Sequence, residues 1–154
     1  MTHIRLAGPR DLAAVEGIVR SAYAPYVSRI GRRPGPMLDD YAALIRNRHV
    51  HVLCDESGLV GLVVLIPEEH AMLLDNIAVR PDAQGRGHGR ALLAFAERAA
   101  RERGLHTIRL YTNEAMTENI ALYRRMGFAE THRAEEMGFR RVYMTKLLDA
   151  PRGS

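Results

Sequence analysis

The chain has 154 residues, one cysteine and a formal net charge of +4, from 22 lysines and arginines against 18 aspartates and glutamates. That length closes a single core without covalent staples, and a lone Cys54, set in an apolar run, excludes an internal disulfide. The mild basic excess favours an anionic ligand, while the lack of a dense Lys/Arg run argues against a nucleic-acid partner.

Met1–Arg5 holds no basic segment leading into a long apolar stretch, and the longest apolar run, near Leu62–Ile66, is too short to cross a bilayer. The expectation is a cytoplasmic protein without a membrane partner.

In chain order, Ile4–Ala7 reads as a strand, and Pro9, Arg10, Asp11 and Leu12 open a helix to about Ala24. Its apolar residues Leu12, Val15, Ile18, Val19 and Ala22 recur at helical spacing. The stretch Ala24–Pro36 is too rich in proline and glycine to be one regular element, and a second helix follows over about Leu38–Arg46. Val50–Cys54 and Leu59–Ile66 form a hairpin across Asp55-Glu56-Ser57-Gly58, and Met72–Val79 is a further strand.

A helix from His88 to Arg103 puts Ala91, Leu92, Phe95, Ala96 and Ala99 on one face, and Gly104 stops it. His106–Thr112 is a strand, Thr117–Met126 a short helix with Thr117 as N-cap, and Ala129–Arg133 and Arg140–Leu147 a last pair of strands. The strands at Met72–Val79 and His106–Thr112 flank a crossover helix and so run parallel. The fold class is α/β of the α+β type: a mostly antiparallel mixed sheet of about six to seven strands, flanked by about four helices. The domain spans 1–148, with 149–154 as a flexible tail.

Chemistry concentrates in Gln84-Gly85-Arg86-Gly87-His88-Gly89, between a strand and an amphipathic helix. Glycines at every second position leave backbone N–H groups uncovered and admit left-handed φ. At a helix N-terminus those groups and the helix dipole make an anion site, with Arg86 at its rim. A dinucleotide fingerprint begun at Gly85 needs glycine where Arg90 stands, and one begun at Gly87 needs it where Leu92 stands. No Gly-Lys-Ser/Thr ending makes a P-loop.

The strand Leu74-Asp75-Asn76-Ile77-Ala78-Val79, Pro81, and Gln84-x-x-Gly87-x-Gly89 together resemble the CoA-binding motif of the GNAT superfamily of N-acetyltransferases. Asn119-x-x-Ala-Leu122-Tyr123-x-x-x-Gly127-Phe128 resembles the family's downstream motif, and element order agrees over about Ile4–Leu148. The resemblance implies a GNAT-like fold whose parallel strands splay apart, and acetyl-CoA as cosubstrate. Its pantetheine arm would pair with Ile77, Ala78 and Val79, and its pyrophosphate would rest on Gln84 through Gly89. His88, when protonated, would touch the anion. Asn119 would bind the pantetheine region, and Tyr123, four residues on, would lie near the thioester sulfur and give a proton to the departing thiolate.

The acceptor implied is a primary amine on a small molecule, peptide or protein, attacking directly in a ternary complex. An amine of pKa about 10 must first lose a proton. Asp75 is the candidate base because it interrupts an apolar strand, although strict alternation puts it on the face of Ile77 and Val79; only a bulge re-aims it. Glu68, Glu69 and His70 remain candidates acting through water. A backbone N–H of Ile77 or Val79 is the candidate oxyanion donor. Tyr26, Arg29 and Arg32, in the Pro/Gly-rich segment, are candidate acceptor-binding residues.

Among the seven histidines, His49 and His51 share a face but lack a third ligand at suitable spacing, so no metal is expected. A non-catalytic acyl-CoA sensor and a transferase of longer acyl groups stay open as alternatives. By analogy with relatives, an exposed strand at Tyr143–Leu147 would support a homodimer.

Overall fold

The computed structural model describes residues 1–148; the expected tail at 149–154 lies outside them. A seven-stranded sheet has the order β1-β2-β3-β4-β5-β7-β6. Its strands are β1 (His3–Leu6), β2 (Val50–Asp55), β3 (Gly58–Pro67), β4 (Met72–Val79), β5 (Thr107–Asn113), β6 (Ala129–Glu136) and β7 (Phe139–Leu147). All neighbours are antiparallel except β4 and β5, which run parallel across the crossover, as their spacing requires. Four helices cover the two faces: α1 (Leu12–Ile30), α2 (Tyr41–Arg46), α3 (His88–Glu102) and α4 (Thr117–Arg125).

Period-two alternation in the central strands divides the core into two layers. Val63, Leu65, Met72, Leu74 and Ile77 meet Leu92, Leu93 and Ala96 of α3. On the other face Val52, Leu62, Val64 and Ala78 meet Val15, Ile18 and Val19 of α1 and Ile45 of α2. In β4 the residues facing α3 are Met72, Leu74 and then Ile77, a step of two followed by a step of three. The pairing shows why: Leu74 opposes Leu65 and Asn76 opposes Val64, which leaves Asp75 as the extra residue of a β-bulge.

Several boundaries differ from the sequence reading. The first helix does not stop near Ala24 but carries Pro25 inside it and ends at Ile30, where Gly31 takes φ 84° and its N–H bonds Val27 O at 2.8 Å. Proline removes one intrahelical bond, and the packing of Tyr23, Tyr26 and Ile30 against the α1-side core outweighs that loss. The second helix starts at Tyr41 rather than Leu38, because the Asp40 side chain caps it by accepting from Ala43 N at 3.1 Å. Residues Gly35–Leu38 form a separate 3-10 turn. The N-cap of α4 is Met116, not Thr117. Tyr143–Leu147 is not an exposed edge, since β7 lies between β5 and β6 and the free edges are β1 and β6.

Gly61 is where β3, β4 and α3 close on one another: a Cβ there would stand 3.1 Å from Ala78 O and 3.3 Å from Leu92 Cδ1. Because a carbonyl held in the sheet cannot yield, Gly61→Val is expected to cost about 1–3 kcal/mol, read as a lowered midpoint in urea with an unchanged slope.

Candidate active site

Strand β4 holds β5 at only two pairs, Met72 with Ile108 and Leu73 with Arg109. Beyond them β5 stays paired with β7 through Asn113, while the β5-facing edge of β4 opens. Arg80 N bonds Val60 O at 2.7 Å, so by alternation the polar groups of Val79 and Ile77 point away from β3 into the opening. Two side chains reach those carbonyls. The Tyr23 hydroxyl, 2.9 Å from Ile77 O, shares its one proton between that oxygen and Asn76 Oδ1, and Gln84 Nε2 donates to Val79 O at 3.1 Å. The N–H groups of Ile77 and Val79 share that orientation.

The glycine loop follows. A 3-10 turn at Pro81–Ala83 leads to Gly85 and Gly87 at φ 80° and 85°, and Gly87 caps α3. Both carry the left-handed backbone read from the spacing. Gly89 serves a different purpose, since a Cβ there would lie 3.1 Å from Leu122 Cδ2; its bareness lets α3 approach α4 and keeps the cradle open. The first N–H groups of α3 have no intrahelical acceptor and point out of this end.

These parts line one cleft of about 540 Å³. It gathers Ile77, Ala78, Val79, Gln84, Gly85, Gly87, His88, Gly89 and Asn119, all singled out in the sequence. His88 Nε2 is buried there with no hydrogen-bond partner among the described residues. Arg86 is absent from the lining, and the cations that line the cleft are Arg90 and Arg125. Both escaped the sequence reading, although Arg125 was legible: Asn119, Leu122 and Arg125 recur every third residue and share one face of α4. The shape and chemistry of this cleft fit a long ligand with an anionic middle and an amide-bearing arm.

A second, smaller pocket of about 110 Å³ lies beyond Tyr23, which borders both. The bulge turns Asp75 into it, and Tyr123, Tyr111, Arg141 and Asp39 join from other elements. Asp39, between the 3-10 turn and α2, had no signal in the sequence beyond an acid in a Pro/Gly-rich stretch. Asp39 is exposed at the pocket rim, yet partial desolvation of its carboxyl and the nearby Asp75 carboxylate push it up to about 7, and burial raises Asp75 as well. Two carboxyls this close titrate as a pair and share the first proton they hold. Tyr123 is 4% exposed, and burial pushes its phenol up, so it stays protonated at neutral pH. Its hydroxyl has no hydrogen-bond partner among the described residues.

The pocket wall is fixed by buried Asn76, whose Nδ2 donates to Tyr41 Oη at 2.7 Å and whose Oδ1 accepts from Tyr23. Tyr41 in turn donates to Pro36 O at 2.6 Å. Tyr26 and Arg29 meet neither carboxyl of the pocket; Glu118 of α4 accepts from both, at 2.8 Å and 2.9 Å, across the mouth of the larger cleft. Arg32 lies over the Phe139 ring at 4.0 Å and donates to Met137 O. Glu68 is bound bidentately by Arg109, which holds its carboxyl below the usual range, and Glu69 and His70 stand exposed beside each other. His51 packs on Phe95 at 4.7 Å, and among the described residues no three His, Cys, Asp or Glu side chains are grouped to hold a metal. No helix among them is long and apolar enough to cross a membrane.

The profile of the acetyltransferase (GNAT) domain family matches residues 46–130, from the last residue of α2 to the start of β6. The chain belongs to the GNAT acetyltransferase family. A mycothiol acetyltransferase of Cellulomonas flavigena is 51% identical over 55 residues, which make up 36% of this chain and 16% of that protein. One from Arthrobacter sp. is 42% identical over 52 residues, again 16% of its length. The matches thus span only a small part of these curated relatives. Among solved structures, a PaiA N-acetyltransferase of Thermoplasma acidophilum in complex with coenzyme A superposes with TM-score 0.78 at 18% identity, covering 96% of this chain and 99% of that one. The ribosomal-protein-S18-alanine N-acetyltransferase of Escherichia coli gives 0.72 at 24% identity, covering 100% and 99%. These likenesses establish the GNAT fold.

The raised carboxyl of Asp39 has a consequence for stability. Between an unfolded pKa of about 4 and the folded value of about 7, the native state holds a proton that the unfolded chain has released. Stability from this group is complete below the lower value and is lost as pH rises through the upper one. Asp39→Asn is therefore expected to melt above wild type by a margin that is small at pH 5 and widens to its full value at pH 8, measured by circular dichroism.

Proposed function

We propose that this chain transfers an acetyl group from acetyl-CoA to a primary amine, by direct attack while both substrates are bound. One observation carries the reading: the open edge of β4, the left-handed glycines at the start of α3 and Asn119 share a single cleft, and that cleft meets a carboxyl-bearing pocket at Tyr23. The thioester supplies the activated acyl carbon. The rest is done by the chain.

In this reading the N–H groups from Gln84 to Gly89 hold the pyrophosphate, aided by the α3 dipole and by Arg90 and Arg125. Ile77 and Val79 offer main-chain donors and acceptors to the pantetheine arm, as an added strand would. Tyr23 and Gln84 satisfy their carbonyls until then. Asn119 binds the amide-bearing portion. An N–H on the β4 edge faces the acyl oxygen as negative charge develops there. Asp75 takes the proton of the incoming ammonium, and Tyr123 gives one to the departing sulfur. A phenol suits that task because it is a neutral donor that binds more strongly as charge accumulates on its partner. Its lack of any other partner keeps it available.

Of the three acceptor-side candidates only Tyr26 lines the cleft; Tyr26 and Arg29 are held by Glu118 and Arg32 by Met137 O, so any part they take in acceptor binding is indirect. A longer acyl group is disfavoured by the small volume beyond Tyr23. The names of the mycothiol acetyltransferases and of the S18-alanine N-acetyltransferase suggest acceptors of very different size, and the first half of the site serves either.

Isothermal calorimetry with acetyl-CoA tests the reading. Wild type is expected to bind, and Gly87→Glu, which puts bulk and negative charge on a left-handed cap, to lose binding by tenfold or more. Tyr123→Phe is expected to retain binding and to lower kcat by about 10²–10⁴ with little change in KM. Failure of wild type to bind acetyl-CoA would sink the proposal.

A further inference from the structure

The smaller pocket has a chemistry of its own. Two carboxyls, Asp39 and Asp75, line it without an ion pair among the described residues, and Tyr123, a side chain only 4% exposed, reaches it with a hydroxyl that makes no hydrogen bond. Asp39 stands exposed at the rim and Asp75 is half-buried, so both carboxyls are open to a ligand that enters the pocket. Arg141, the guanidinium acting on Asp75, makes its ion pair with Glu136 at 3.1 Å and lies over the Tyr111 ring at 4.6 Å, so part of its charge is matched within the protein.

We infer that this pocket receives its acceptor as a compact alkyl ammonium, held jointly by Asp39 and Asp75 and faced by the rings of Tyr111 and Tyr123. The inference rests on the acetyl-transfer reading and deepens it by naming the acceptor class. An ammonium brings three N–H donors and no acceptor, matching a pocket of carboxyl oxygens and a phenol oxygen. Aromatic faces add attraction for a cation. A volume of about 110 Å³ admits a short unbranched chain.

The pair is a proton store as well as a binding site. The groups facing it are Tyr23 from α1, Tyr41 from α2, His49 before β2, Tyr111 from β5, Tyr123 from α4 and Arg141 from β7. The four phenols remain neutral at pH 7, because burial pushes each of them up. The pair therefore holds about one proton near neutrality, and a second negative charge appears as pH rises through about 7. In turnover one ammonium proton passes to the Asp75 carboxylate and on to solvent. The freed nitrogen lone pair forms the C–N bond, and the C–S pair leaves on sulfur. Sulfur takes a proton from Tyr123, whose oxygen regains the second nitrogen proton.

The test uses the full chain labelled at aspartate Cγ, without acetyl-CoA, titrated by carbon-detected NMR from pH 4 to 9 with n-butylammonium chloride, glycine or n-butanol. Butylammonium is expected to shift the Asp39 and Asp75 resonances at pH 8 and to lower the step near 7. Glycine and butanol should leave both in place. Asp39→Asn and Asp75→Asn are each expected to weaken butylammonium tenfold or more at pH 8 while acetyl-CoA binding by calorimetry is kept. Carboxyl resonances unmoved by butylammonium, or moved equally by glycine, would overturn the inference; the wild-type titration decides this even if a variant does not fold. Loss of wild-type acetyl-CoA binding alongside an intact butylammonium response counts against the transferase reading alone.

Discussion

Two residue pairs hold β4 to β5, and everything that follows in the site depends on their being only two. A parallel pair that continued would satisfy its main chain and leave no room for a ligand. Here β4 keeps β3 and β5 keeps β7 to their ends, so the cost of the opening falls on the two edges that face each other. Tyr23 and Gln84 meet that cost on β4 by donating to Ile77 O and Val79 O. Each is a side chain that a ligand strand can displace or extend, which a ladder bond would not permit. The larger cleft and the smaller pocket are the two sides of the same wedge, with Tyr23 at its apex.

Asn76 converts that opening into a defined shape. It is 3% exposed, and a buried amide left without partners costs about 1–3 kcal/mol. Its bonds to Tyr23 and Tyr41 tie α1 and α2 to the strand at the residue next to the bulge. The bulge and the network are thus one device: the extra residue turns Asp75 into the pocket, and the next one locks the helices that carry Tyr23 and the turn that carries Asp39. Holding two carboxyls together in that setting opposes folding above neutral pH, a load carried by the two apolar layers.

How much of this was legible in the sequence follows from the range of each signal. The glycine loop was readable because its constraint is local: left-handed φ at Gly85 and Gly87 needs glycine whatever else the chain does. The same holds for α3, whose apolar face repeats with the helical period. The bulge was not readable, because it is a property of pairing and exists only when Val64 opposes Asn76 while Leu65 opposes Leu74. Alternation within β4 alone put Asp75 on the wrong face. Pro25 misled in the opposite way, since a local penalty was taken as a boundary where tertiary packing carried the helix on to Ile30. Asp39 had no periodic element to place it, and it reaches the pocket only through the turn at Gly35–Leu38 and the cap of α2.

The same division separates what family membership conveys from what it does not. The matched stretch, residues 46–130, contains the bulge, the glycine loop, Asn119 and Tyr123. It omits Tyr23, Asp39 and Arg141, three of the groups that border the smaller pocket. A CoA-type ligand is held mainly by backbone groups and by glycines that let it approach, features that vary little without losing the site. An acceptor is selected by side chains, and these come from segments before and after the shared core. The bulged strand presents a carboxylate to whatever those segments assemble opposite it, and here they assemble a second carboxyl, aromatic rings and an arginine matched in part by Glu136. In the proposed reading that combination, rather than the family motif, selects the amine.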